Sequence, residues 1–380
     1  MGQVGRRVSG QVWAHVGQPF GSAHYDLVIV GAGRMGAALA RFLRELAPQL
    51  SLLLAEEGGL PNEEGATILA PGVWHADVPP AQLARAEETR ALLGDVLNVC
   101  GLLDLSAEGG ADLSPVSELW TPELAALIDP GVLPFARLDA RAGTYSAGSV
   151  TLANANAAIH GGADLMLNVR AELCGTGADG LVAGGPAHVR LHRLSVTNMH
   201  EVIVAQSVSV TAGRVIVAAG AAGPHLAEVG LGVVTPHRMA YRQTPRLEVH
   251  SAPGSPVLCC AGLLLRPRDG GYTVIPPIPH PDPWGYVPTG GRLVGVPVGM
   301  RRETLDALLE NMDGLSVLAG EGLVLGRSIA DIPGAWIALP DGGWPLWKRL
   351  DAAHWLLLGG EQADLTGLSV ARELAAELSS

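Results

Sequence analysis

Gly31-Ala32-Gly33-Arg34-Met35-Gly36 has the spacing of a loop that receives a pyrophosphate, and Glu56, twenty positions beyond Gly36, stands where a carboxylate can take a ribose diol. In such a loop the first glycine allows the tight turn and the second lets backbone approach the phosphates. The third lets the following helix pack against its strand, with the helix N-terminus facing the phosphate charge. Glu57 is an adjacent rival for the ribose contact. The motif predicts a dinucleotide site, and its geometry serves NAD and FAD equally, so that choice stays open at this point.

The elements that must position the loop lie on either side of it. Tyr25 to Val30 is a short β-branched apolar run, Ala37 to Leu46 has helical composition and period, and Leu50 to Ala55 is a second apolar run ending at Glu56. Strand, turn, helix and strand make a βαβ unit. Further along, the spacing predicts helices over Ala81 to Leu103, Thr151 to His160, Glu303 to Met312 and Thr366 to Leu378. Buried strands are expected at Asp164 to Val169, Arg214 to Ala218 and Trp355 to Leu358, and antiparallel strands with heavy Pro/Gly punctuation between Val257 and Val298. The expected class is α/β (α+β overall): a Rossmann-like nucleotide-binding domain with a second, largely antiparallel β-sheet substrate domain. Residues 25–75, 148–229 and 326–380 are assigned to the first, and 76–147 and 230–325 to the second. Residues 1–24 are read as a loose N-terminal extension without the apolar run of a secretion signal.

Composition narrows the partners. Against 37 acidic residues stand 25 basic ones, a net charge of −12, and no basic block with interleaved aromatics offsets it; nucleic acid and anionic membrane are poor partners. Mean hydropathy is +0.27, but apolar runs are broken before a membrane span is complete. The four cysteines, Cys100, Cys174, Cys259 and Cys260, form no CxxC pair and no cluster at zinc spacing, which predicts no structural metal and a reducing cytoplasmic setting. Lys348 is the only lysine, so lysine-based chemistry is nearly excluded.

Several separated segments add a resemblance. Gly65-Ala66-Thr67-Ile68-Leu69-Ala70-Pro71-Gly72, Asn168-Val169-Arg170, Val217-Ala218-Ala219-Gly220-Ala221, Gly326-Arg327 with Leu339-Pro340-Asp341-Gly342, and Gly359-Gly360 through Gly367-Leu368 follow one another in the order found in the D-amino-acid oxidase family of flavoproteins, which the chain resembles from Tyr25 to its end. That resemblance implies FAD, with Thr67 under the flavin, the Val169 backbone at the adenine, and Ala219, Gly220, Gly360, Gly367 and Leu368 beside the cofactor, in addition to Gly31, Gly33, Arg34, Met35, Gly36, Glu56 and Glu57. It implies noncovalent FAD, because Leu69 stands where some relatives attach the flavin through histidine and no cysteine precedes Pro340. It implies oxidation of the C–N bond of a small amine or amino acid by hydride transfer to flavin, with Arg327 and Tyr272 holding the substrate carboxylate. Tyr241, Arg242, His280 and Trp284 are further residues for the pocket.

This chain departs from the family pattern at Pro236-His237-Arg238-Met239, at the insert Ile278 to Pro288, and in the spacing after Arg327 and after Gly360. The alternatives are therefore a flavin-dependent dehydrogenase of a 2-hydroxy acid or polyol phosphate, an NAD(P) enzyme, and a catalytically weak flavin-binding protein. The expected partners are a small-molecule substrate and an electron acceptor, oxygen or another; without a lysine over the flavin, dehydrogenase behaviour is favoured.

Overall fold

The computed structural model describes residues 9–380 except 21, 64, 120, 175–185, 200, 261, 279–299, 313, 317–320, 322, 325–331 and 333. Among these residues the backbone forms two large sheets joined by a two-stranded ribbon.

The nucleotide loop belongs to a nine-stranded sheet with a parallel centre. His24–Val30 pairs parallel with Leu52–Ala55 on one side, Val28 opposite Leu53, and with the end of Val202–Val217 on the other, Val28 opposite Val215. Asp164–Met166 extends the sheet beyond Leu52–Ala55, and His354–Leu358 runs parallel to the end of Val202–Val217. These central strands have helices on a face, so they read as almost unbroken apolar runs, Leu52–Ala55 being buried throughout. Helix Arg34–Leu46 turns Met35, Ala38, Leu39, Phe42 and Leu43 into the core shared with Ala371, Leu374 and Leu378 of the last helix.

The second sheet has eight strands and is mostly antiparallel. Val257–Cys260, Leu263–Arg268 and Gly271–Ile275 form its central meander, and Leu102–Ser106 joins it parallel to Val257–Cys260. A ribbon of Arg238–Gln243 and Gly334–Leu339, with Arg242 opposite Ala335, connects the two bodies.

Several boundaries differ from the sequence reading. The helix expected through Leu103 ends at Leu93, where Gly94 at φ 51° breaks the turn; Asn98–Val99 and Leu102–Ser106 are strands because long-range pairing overrides the local period. The last helix begins at Ala363, ahead of Thr366. Residues 9–20 are not loose. Val12–Trp13 is a parallel edge strand beside Leu165–Met166, and the Trp13 side chain is buried against Phe20.

Candidate active site

The loop begins where His24–Val30 runs out of strand. Gly31 has φ +104°, and a Cβ there would lie 2.5 Å from the Ala218 carbonyl oxygen. A Cβ on Gly36 would lie 1.9 Å from the Gly31 carbonyl oxygen, so helix and loop touch backbone to backbone. Among the described residues a Cβ on Gly33 would meet the Thr67 hydroxyl, 3.3 Å away. That hydroxyl also accepts the Arg34 amide at 3.1 Å, satisfying one of the donors at the helix N-terminus.

Glu56 follows the last residue of its strand and is buried. Its Oε2 accepts the Ala32 amide at 2.6 Å, while Oε1 accepts the Gly58 amide at 3.1 Å and Asn62 Nδ2 at 2.8 Å. Glu57 instead accepts Arg170 Nε and Nη2 at 3.2 Å each. Glu56 is therefore the carboxylate tied to the glycine loop, and Glu57 the one tied to the neighbouring strand.

A single cleft of about 1210 Å³ connects these groups. Glu56, Glu57, Asn168, Val169 and Arg170 line one end, the loop residues Gly31, Gly33, Arg34 and Met35 with Thr67 the middle, and Ala219, Gly220, Gly360, Glu361, Arg242, Trp336 and Ile337 the remainder. Gly367 and Leu368 do not reach it. They lie on the last helix, where Gly367 packs against Met35 Sδ, and both border a small side cavity with Arg34 and Tyr145. Tyr272 is not brought to the cleft either; it is buried in the apolar core of the eight-stranded sheet with Leu247, Leu265 and Leu308. Gly326, Arg327, His280 and Trp284 lie outside the described residues.

The sequence reading missed two charged groups here and held a third in reserve. Arg242, at the end of the connecting ribbon, is buried; its Nη2 donates to Glu361 Oε1 at 2.7 Å, and its Nε has no hydrogen-bond partner among the described residues. Burial pushes the Arg242 pKa down, opposed by the nearby Glu361 and Asp364 carboxylates. Asp364 is the second missed residue. Its Oδ1 accepts Arg34 Nη2 at 2.6 Å and the Tyr145 hydroxyl at 2.8 Å, and its Oδ2 accepts the Gly72 amide at 2.9 Å. Burial, with Asp364 alongside, holds the Tyr145 phenol well above its ordinary range. An acidic residue in the first turn of the last helix was the available signal.

Thiol chemistry does not enter. No cysteine lines the cleft among the described residues, and burial pushes Cys259 up to about 11 and Cys260 up to about 12, so both are protonated at neutral pH. The same residues hold no group of three or more His, Cys, Asp or Glu placed for a metal ion, and none of their helices is long and apolar enough to cross a membrane.

A glycine-loop cleft on a parallel-centred sheet, bordered by a ribbon to a second, mostly antiparallel sheet, is the arrangement of a dinucleotide-binding protein of two bodies. A family model described as "DAO: FAD dependent oxidoreductase" matches residues 26–315, and the chain belongs to that family. It is an FAD-dependent oxidoreductase. Among solved structures it is similar to glycine oxidase from Geobacillus kaustophilus, at TM-score 0.67 and 16% identity, covering 94% of this chain and 95% of that one. It is also similar to glycine oxidase from Bacillus cereus ATCC 14579, at TM-score 0.65 and 15% identity over 93% and 94%. L-proline dehydrogenase from P. horikoshii matches at TM-score 0.62 and 15% identity over 94% and 93%. A curated relative, the probable malate:quinone oxidoreductase of Synechococcus sp. (strain CC9902), is 51% identical over 55 residues, which span 14% of this chain and only 11% of that protein.

The residues fit FAD. Pockets for drug-sized ligands measure about 300 to 1,000 Å³, and this cleft exceeds that range while running past a phosphate loop, with a buried carboxylate to one side and a buried arginine to the other.

Proposed function

We propose that this FAD-dependent oxidoreductase oxidises the C–N bond of a small amino acid, whose two charged groups are received by Arg242 and Glu361. The observation that carries the reading is a buried guanidinium and a carboxylate 2.7 Å apart that line the same cleft. The guanidinium borders the cleft, where a substrate carboxylate would give it a second charged partner. Glu361 beside it offers an acceptor for the substrate amino group. Trp336, Ile337 and Ala338 supply an apolar wall that keeps water from the reacting carbon.

FAD, when bound, supplies the two-electron acceptor. The chain's residues orient the substrate. Gly31 and Gly33 leave room for the pyrophosphate, Gly36 lets the helix close on the loop, Glu56 is the proposed ribose contact, and Thr67, Ala219, Gly220 and Gly360 border the remainder. Sheet membership supports the partition into residues 25–75, 148–229 and 326–380 against 76–147 and 230–325. Lys348, on the strand Leu346–Arg349, is exposed and does not line the cleft, which favours an acceptor other than oxygen. Four free cysteines support a reducing, cytoplasmic setting. FAD is taken to be noncovalent: acid precipitation is expected to release the colour into the supernatant, and colour kept in the pellet contradicts this.

The test is anaerobic flavin reduction with a panel of amino acids, N-methyl amino acids, simple amines and 2-hydroxy acids. The short match to a malate:quinone oxidoreductase is the reason the last group belongs in the panel. An amino acid is expected to reduce the flavin, and Arg242→Ala to lose about 2 to 5 kcal/mol of that efficiency, tens to thousands of fold, with flavin content unchanged. Arg242→Lys keeps the charge without the planar fork and should lose part of it. Arg327→Ala in the same assay separates the two arginines. Full reduction rates in Arg242→Ala, or reduction by 2-hydroxy acids alone, would overturn the assignment.

A further inference from the structure

Residues 9–20 lie outside the nucleotide fold predicted from Tyr25 onward, yet they are fastened to it by specific bonds. The Gln11 amide donates to Asp164 Oδ1 at 2.8 Å, and the other oxygen of that carboxylate takes the Tyr25 hydroxyl at 2.8 Å. Trp13 Nε1 donates to the Pro19 carbonyl at 2.9 Å, closing the segment on itself. Gln18 Oε1 accepts both the Ala14 amide at 2.8 Å and the His15 amide at 2.7 Å, which with Gly17 at φ +87° fixes a tight turn.

The sheet grips this turn from below. Arg193, buried on Ala187–Val196, donates to the carbonyls of His15 and Gln18. Asn168, itself at φ 55°, donates Nδ2 to the Ala14 carbonyl at 3.1 Å. Clamping carbonyls with a buried guanidinium is an expensive way to hold a tail that does nothing.

The turn carries Ala14, His15 and Val16 into the wall of the cofactor cleft, at the end that also holds Glu57, Gly58, Asn168 and Leu194 to Val196. The glycine loop takes the pyrophosphate and the carboxylate at the strand end takes the ribose, so the region beyond Glu56, away from the loop, is where the adenine lies. We propose that Ala14, His15 and Val16 form one wall of the adenine pocket, making the N-terminal segment part of the FAD site. An imidazole and a branched apolar side chain exposed on such a wall suit the face of a purine, which stacks without needing sequence-specific hydrogen bonds.

The proposal rests on the cleft taking FAD, and the probes separate its two ends. The variants are His15→Ala with Val16→Ala, which strips the wall and leaves the edge strand, and Gln18→Ala, which frees the turn. Affinity for FAD, for ADP and for FMN is measured on the flavin-free full chain by fluorescence titration and competition, with the melting temperature of each variant. In both variants FAD and ADP are expected to bind about tenfold more weakly, the size of one lost base-stacking contact, while FMN, which lacks the adenosine, binds as to wild type. Unchanged affinity for FAD and ADP overturns the proposal, and so does an equal loss for all three ligands. Wild-type protein that binds neither FAD nor ADP overturns the cofactor reading itself.

Discussion

Gly33→Val is expected to give a folded protein without flavin. The Gly33 backbone is extended, at φ −63° and ψ −176°, which any residue adopts. Among the described residues a Cβ there would meet the Thr67 hydroxyl at 3.3 Å, a side-chain contact that a small shift relieves, so the fold is expected to survive the substitution. What it lacks room for is valine and a pyrophosphate together, because the second loop glycine is where backbone and phosphate approach. FAD binding should fall by at least about a hundredfold, roughly 2.7 kcal/mol, with the melting temperature of the flavin-free chain close to that of wild-type apoprotein. Gly36→Ala is a different experiment. Its Cβ would lie 1.9 Å from the Gly31 carbonyl oxygen, so backbone must move and the fold itself suffers. Absorbance of the purified variants, read beside their thermal melts, checks the contrast; Gly33→Val with wild-type flavin content would remove the loop from the phosphate site.

The loop and its flanking elements were legible because each is set by neighbours in sequence. Glycine spacing, a β-branched run before it and a helical period after it all act within the span from residue 25 to residue 56, and the structure places His24–Val30, Arg34–Leu46 and Leu52–Ala55 there. The other end of the cleft was not. Arg242 sits in a strand whose local pattern says nothing about depth, and its partner Glu361 is 119 positions away. The two-residue strand Val12–Trp13 has no period to detect; it exists because the edge beside Leu165–Met166 accepts it and Trp13 finds a buried seat. The helix expected through Leu103 failed for the same reason in reverse, since pairing with Phe135–Asp139 and Val257–Cys260 outweighs a local apolar spacing. Tyr272 could be assigned a carboxylate only by resemblance, and the packing of its own sheet puts the ring in the core instead.

Asp364→Ala should be among the most destabilising single changes in the chain. The carboxylate is 3% exposed and fastens three separate segments: Arg34 at the start of the nucleotide helix, Gly72 at the end of the small-residue segment, and Tyr145 just before the helix Ala147–His160. Removing it leaves a guanidinium, an amide and a phenol without their acceptor, all at least partly buried. Breaking one side of a buried ion pair costs about 3 to 5 kcal/mol, which lowers the melting temperature by several degrees even in a chain of this length. Asp364→Asn keeps one acceptor oxygen, but it loses the charge facing Arg34 and turns an amide NH2 toward the donors on its other side, so it should recover only part of the loss. The ion pair itself is isolated by a cycle with Arg34→Ala. If Arg34 and Asp364 act as one unit, the double variant should be more stable than the sum of the single losses by about 1 to 3 kcal/mol. Flavin affinity should fall in Asp364→Ala as well, since Arg34 lines the cleft and Asp364 also anchors Gly72, next to the cleft residue Pro71. Thermal melts that place Asp364→Ala within about 0.5 kcal/mol of wild type, the range of an ordinary surface substitution, would show that the three contacts do not hold these segments together.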